Sequence, residues 1–150
     1  MTSGEAEATN GSPKWQSSWT SDYISNDRLE KYAAKVGDEL IALGAYEILD
    51  SSLIVRIVYM EAQPDSNPTM RGSDKRKYRG IGRMLIAYGI KLSIDNGFHG
   101  DVILEAKTAE LEEHYKKDFG AVKLPSLSPA APRYIIADEA AKRIFFTYLV

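Results

Sequence analysis

Residues Arg71 to Asn96 read RGSDKRKYRGIGRMLIAYGIKLSIDN, and the fold turns on this stretch. Its first half holds six basic residues (Arg71, Lys75, Arg76, Lys77, Arg79 and Arg83) against one acid, Asp74. Its second half is apolar at helical spacing. Ile81, Met84, Leu85, Tyr88 and Leu92 mark one face, and Ile86, Ile90 and Ile94 carry apolarity around the rest. The pattern predicts a long, largely buried helix over residues 80–96, closed by Asn96-Gly97. A helix start presents backbone N–H groups without partners inside the helix, at the positive end of its dipole. Gly80 and Gly82 leave that backbone open to a ligand, and the cations before them add charge-assisted bonds. Together they suit a phosphate or pyrophosphate, although glycines at a helix start also serve close packing.

Working outward, Glu39 to Leu49 (ELIALGAYEIL) is nearly continuous in apolar residues, as in a strand covered on both faces. Asp50 and Ser51 turn the chain into Leu53 to Ala62 (LIVRIVYMEA), rich in β-branched residues, and the two strands read as an antiparallel hairpin. Pro64 and Pro68 end it. Beyond the long helix, Asp101 to Ala106 (DVILEA) is a short strand. Strand, helix and strand in that order make a βαβ unit with parallel strands.

A further helix follows Thr108. Glu110, Glu112 and Glu113 lie in its first turns and Lys116 and Lys117 in its last, matching the helix dipole. Leu111, Tyr115 and Phe119 share one face and Gly120 ends it. Ala121 to Leu124 and Arg133 to Ala137 read as a strand pair, and Asp138 opens a last helix striped by Ala141, Ile144, Phe145 and Tyr148. Ahead of all these, Leu29, Tyr32, Ala33 and Val36 are spaced i, i+3, i+4, i+7, which predicts a short helix over residues 26–36 with Gly37 past its end. Trp15 and Trp19 are read as packing residues. The fold class expected is α/β with a mixed (α+β) sheet.

Composition bounds the function. The 150 residues are 44% hydrophobic and 27% charged, as in a globular protein, and suit one domain over residues 14–150 after a polar tail over residues 1–13. The tail lacks the apolar core of a signal peptide, and a cytoplasmic location is expected. Nineteen basic against 21 acidic residues give a net charge of −2, so neither a nucleic-acid nor a membrane partner is expected. With no cysteine and two histidines, thiolate metal sites and a cysteine nucleophile are excluded, and no metal is expected. The P-loop pattern is absent, and the third glycine of a Rossmann fingerprint is missing.

Lys77-Tyr78-Arg79-Gly80-Ile81-Gly82-Arg83-Met84-Leu85 resembles the acetyl-coenzyme A signature of the GNAT N-acetyltransferase superfamily, Gln/Arg-x-x-Gly-x-Gly/Ala ahead of an apolar helix. The resemblance extends in element order from about Leu40 to Ala137. It implies a twisted mixed sheet splayed open between the strand ending near Ala62 and the strand at 102–106. Pantetheine would lie in that gap, with its pyrophosphate on the N–H groups of Arg79 to Arg83. Lys77, Tyr78, Arg79, Gly80, Ile81, Gly82 and Arg83 would bind acetyl-CoA as cosubstrate, and the backbone at Met60 and Ala62 would polarise the thioester carbonyl.

The reaction so implied is direct acetyl transfer to a primary amine, which needs a proton acceptor and a proton donor. Glu61 is the candidate base, with Glu105 in reserve. Tyr115 is the candidate acid; the alternative is that it packs with Leu111 and Phe119, its phenol reaching the surface. The acceptor is open, a small molecule or a protein amine. The runner-up function is a non-catalytic acyl-CoA-binding module on the same fold. The apolar end Phe145, Phe146, Tyr148, Leu149 and Val150 either docks on the sheet or makes a homodimer contact.

Overall fold

The computed structural model describes residues 4–5, 28–63, 80–106, 109–125 and 132–148. Trp15, Trp19, Pro64, Pro68, the cationic run from Arg71 to Arg79, Thr108, Leu149, Val150 and most of the expected tail lie outside them. Among the described residues there are six strands: β1 (Leu29–Val36), β2 (Glu39–Leu49), β3 (Ile54–Ala62), β4 (Val102–Glu105), β5 (Val122–Lys123) and β6 (Arg133–Ile136). The helices are α1 (Ile81–Asp95), α2 (Ala109–Phe119) and α3 (Asp138–Tyr148). The strands form one sheet in the order β1-β2-β3-β4-β6-β5. β3 and β4 are parallel, as a strand–helix–strand unit requires, while β6 runs antiparallel to β4 and to β5. The mixed α/β sheet expected from the sequence is the one observed. No helix among the described residues is long and apolar enough to cross a membrane.

The chain divides into two compact units, Met1–Tyr46 with Tyr59–Leu85, and Glu47–Val58 with Ile86–Val150. In the first, side chains sort onto two faces. Leu29, Ala33, Leu40 and Tyr59 pack on Leu43 and Ala45. Tyr32, Met60, Ala62 and Met84 pack on Ala34, Ile41, Ala42, Ile81 and Leu85, the opening turn of α1. Ile41 and Ala42 are consecutive yet share the helix-facing cluster, a break in alternation of the kind a β-bulge makes. The Tyr46 hydroxyl donates to the Leu85 carbonyl at 2.7 Å.

The helix expected over residues 26–36 is instead strand β1. Residues four apart share a face in either structure, so Leu29 and Ala33 cannot distinguish them. Tyr32 and Ala34 can: two apart, they pack together on the opposite face from Leu29 and Ala33, which is a period of two. Val36, the fourth member of the supposed stripe, is 48% exposed. Gly37 has φ +61° and, with Asp38, makes the two-residue link to β2, so it is a hairpin glycine and not a helix cap.

In the second unit the β3–β4 register is Val55↔Val102, Arg56↔Ile103 and Ile57↔Leu104. Pairing of β4 with β6 continues to Glu105↔Arg133. Val55, Ile57, Val102, Leu104, Tyr134 and Ile136 are buried, as alternation predicts. Charges also cross the strands: Arg56 bridges Glu47 at 3.5 Å and Glu105 at 3.6 Å, and Arg133 joins Glu105 at 3.6 Å. The expected stops hold. Gly97 N–H bonds the Ile94 carbonyl after α1, and Ala121 N–H bonds the Tyr115 carbonyl at 3.0 Å beyond Gly120. On α3, Ala141 and Ile144 are buried, while Phe146 is 62% exposed with its ring edge-on to Phe145.

A Cβ on Gly44 would lie 2.6–2.9 Å from the Tyr46 ring, which its bond to Leu85 holds in place. Gly44→Ala is therefore expected to cost about 1–3 kcal/mol in urea unfolding. Asp101 offers a pH test. Burial first, and the Asp138 carboxylate second, push its carboxyl above the ordinary 3.8, against opposing pulls from His99 and the Asp138 N–H. Its proton thus stabilises the fold fully below pH 3.8, and that contribution is lost as pH rises through the higher folded-state value. Asp101→Asn should raise the Tm at pH 7, with the gain vanishing at pH 3.

Candidate functional site

The start of α1 is set by two exposed glycines around one buried anchor, Ile81. Gly80 has φ +75°, a conformation glycine adopts without strain, and turns the chain into the helix. The first intrahelical bond is Met84 N–H to the Gly80 carbonyl at 3.1 Å, so the N–H groups of Ile81, Gly82 and Arg83 precede the ladder. The first turn of α1 holds no acidic residue. By contrast α2 has Glu110 and Glu112 there, and α3 has Asp138 and Glu139, each offsetting its own dipole. Ile81 is buried in the core cluster and anchors the turn. Gly80 and Gly82 are exposed, and a Cβ on either would meet nothing within 4 Å among the described residues. Packing among the described residues therefore does not demand the second glycine.

The end of β3 shares this unit. Met60 and Ala62 pack on the cluster containing Ile81, so both lie on the face of the helix start. Gln63 N–H bonds the Ile41 carbonyl on β2 at 2.7 Å. Val55 N–H bonds Asp101 on the other side of β3 at 3.2 Å, and 55 and 63 lie an even number of residues apart, so strand alternation is interrupted between them. Glu61, between Met60 and Ala62, is buried, 5% exposed. The Gln63 side chain donates to Glu39 at 3.1 Å and to the Leu40 carbonyl at 3.4 Å. Of the sequence-predicted residues, Met60, Glu61, Ala62, Gly80, Ile81, Gly82 and Arg83 thus occupy one unit. Lys77, Tyr78 and Arg79 lie outside the described residues.

Tyr115 belongs to the second unit, on α2, and is 6% exposed. Its ring contacts Phe119 at 6.3 Å and Tyr134 at 6.4 Å between centroids. No buried side-chain oxygen among the described residues lacks a hydrogen bond, and none of them bonds the Tyr115 hydroxyl, so the ring is buried and the hydroxyl is reachable. Burial pushes this phenol above its ordinary pKa of 10.0, keeping its proton on at neutral pH. Glu105, the reserve base, gives its Oε1 to both Arg56 and Arg133 and serves as a cross-strand clamp. His114 is exposed, as its helical position predicts, and bonds Asp118 one turn on.

Solved structures share this fold. The ribosomal-protein-S18-alanine N-acetyltransferase from Escherichia coli superposes with a TM-score of 0.60 at 13% identity, covering 92% of each chain. A Bacillus subtilis acetyltransferase solved with CoA gives 0.59 at 15% identity, covering 92% of this chain and 94% of the other. The aminoglycoside 6'-N-acetyltransferase from Enterococcus faecium gives 0.51 at 14% identity, over 82% and 81%. No family model matches the sequence, and no curated protein matches it. The chain has the fold of the GNAT N-acetyltransferases.

Two polar residues of these units escaped sequence reading. Gln63 follows the strand pattern without announcing a buried amide. Tyr134 lies in a segment read only as one member of a strand pair; a buried tyrosine needs a partner for its hydroxyl, and that requirement was the available signal. For the helix start, Gly82→Ala is expected to be neutral or to stabilise by up to about 1 kcal/mol, since it gains helix propensity without a clash. Gly80→Ala should destabilise by about 1 kcal/mol because of its positive φ. Chemical denaturation of both variants measures the contrast.

Proposed function

We propose that this chain is an acetyl-CoA-dependent N-acetyltransferase that passes the acetyl group directly to a primary amine. The observation that carries the reading is the start of α1: an uncompensated dipole end, with a second glycine that neither packing nor backbone geometry demands. Such a start accepts a pyrophosphate on the N–H groups of Ile81, Gly82 and Arg83. Lys77, Tyr78 and Arg79, immediately before it, supply cations and a phenol to the same anion. The GNAT fold supports the choice of acyl-CoA over other phosphate ligands.

Acetyl-CoA supplies an acyl group activated as a thioester. The chain supplies polarisation and proton transfer. The N–H groups of Met60 and Ala62 suit a developing negative charge on the thioester oxygen. A primary amine near pKa 10.4 is mostly protonated at pH 7, so Glu61 takes the proton that frees its nitrogen for attack. As the nitrogen–carbon bond forms and the carbon–sulfur bond breaks, the coenzyme leaves as a thiolate that takes its proton from Tyr115, and the second proton shed by the new amide nitrogen restores the Tyr115 phenol. With no cysteine in the sequence, no thiol of the protein carries the acyl group. The acceptor is a small-molecule or protein amine, and the roles of Glu61 and Tyr115 are the same for both.

Millimolar CoA or acetyl-CoA should raise the Tm of the native chain, and no shift with either ligand sinks the reading. Gly82→Val should fold normally and lose that shift, because its side chain occupies the anion's place. Free-thiol release from acetyl-CoA across a panel of amines reads transfer. Tyr115→Phe should lower turnover by about 100-fold while the acetyl-CoA shift is retained. Binding without thiol release from any amine fits the non-catalytic acyl-CoA-binding module instead.

A further inference from the structure

We propose that Tyr134 is a positioning residue, the fixed support that holds Tyr115 in place for proton donation. The inference rests on the reading of Tyr115 as the proton donor. Tyr134 is on β6 and fully buried, 0% exposed. Three residues of α2 meet it: Glu112, Tyr115 and Lys116. They stand at i, i+3 and i+4, so they share one face of the helix. The Tyr134 hydroxyl donates to Glu112 Oε1 at 2.8 Å. Its ring meets that of Tyr115 edge-on, at 6.4 Å and 67°. Lys116 Nζ lies 5.7 Å from its ring centre. Glu112 is in turn reached by Lys123 of β5 at 3.9 Å, so two strands hold the carboxylate that holds the phenol.

The two tyrosines divide the work by where their protons go. Tyr134 spends its hydroxyl proton on a carboxylate of the helix that carries Tyr115, and that bond fixes its ring. The Tyr115 hydroxyl has no such bond among the described residues and is available to an outside acceptor. Tyr115 is also tied through its main chain, its carbonyl accepting from Ala121 N–H at 3.0 Å. A donor whose backbone and ring are both fixed, and whose proton is uncommitted, is preorganised for transfer.

Tyr134→Phe keeps the ring and removes the bond to Glu112, so it tests the support with the least risk to folding. Turnover is read as thiol release from acetyl-CoA with the fastest amine of the panel. Tyr134→Phe is expected to lower kcat about 10-fold, with KM for acetyl-CoA within about twofold of native. In a Tyr115→Phe background the same substitution should change kcat by less than about twofold, because the group it positions is gone. Equal losses in both backgrounds would overturn the proposal, as would native kcat in Tyr134→Phe when Tyr115→Phe is slow. If Tyr115→Phe itself turns over normally, the proton-donor reading fails, and nitration separates the two. Tetranitromethane modification of Tyr115, followed by peptide mass spectrometry, should be about threefold or more faster in Tyr134→Phe or Tyr134→Leu if Tyr134 fixes the ring. Unchanged nitration in both variants refutes the support whatever the kinetics show.

Discussion

A parallel strand pair cannot be closed by a tight turn, and this constraint organises the molecule. β3 and β4 run side by side in the same direction, so the chain leaving β3 must travel back before β4 can begin. The return journey is α1, whose first residue follows the cationic segment after β3. The start of α1 therefore belongs to the carboxyl end of β3, where open α/β sheets present their ligands. Met60 and Ala62 at that end pack with Ile81 at the helix start, so the connection brings strand end and helix start into one cluster.

Electrostatics then gives this corner its character. The sequence as a whole is slightly acidic, at −2, yet six of its 19 basic residues fall between Arg71 and Arg83. The helices α2 and α3 neutralise their own N-termini with Glu110, Glu112, Asp138 and Glu139. α1 has no such residue in its first turn, and the cations directly precede it in the sequence. Gly80 turns the chain with a positive φ, and a Cβ on Gly82 would meet no neighbour among the described residues. Charge and space are the grounds on which the proposed site is one for a compact anion and not a general polyanion surface.

Polar groups in the second unit are sorted by whether their bonding is complete. Glu105 is shared between Arg56 and Arg133, and Tyr134 is bonded to Glu112. These satisfied groups tie strands to one another and to α2, because a buried polar atom without a partner is costly. Tyr115 differs in having a buried ring and a reachable hydroxyl. A phenol in that position retains its proton and can lose it to a partner that arrives from outside.

Much of the fold was legible in local pattern. The continuous apolar run of β2, the β-branched residues of β3, the helical spacing of α1 and the glycines after α1 and α2 all read directly. The proposed anion site rests on local pattern too, since glycines, cations and an apolar helix follow one another in the chain. The stretch over residues 26–36 misled because Leu29 and Ala33 share a face in a helix and in a strand alike; contacts of Tyr32 and Ala34 decided it. Whether Gly82 answers to packing, whether Glu105 is free, and what Tyr134 touches depend on residues distant along the chain. Sequence by itself determined the period of each element and the chemistry of contiguous residues, because these are set by neighbours within a few positions. Only the tertiary structure decided which polar groups are already bonded and which remain open, because that depends on what the fold places beside them.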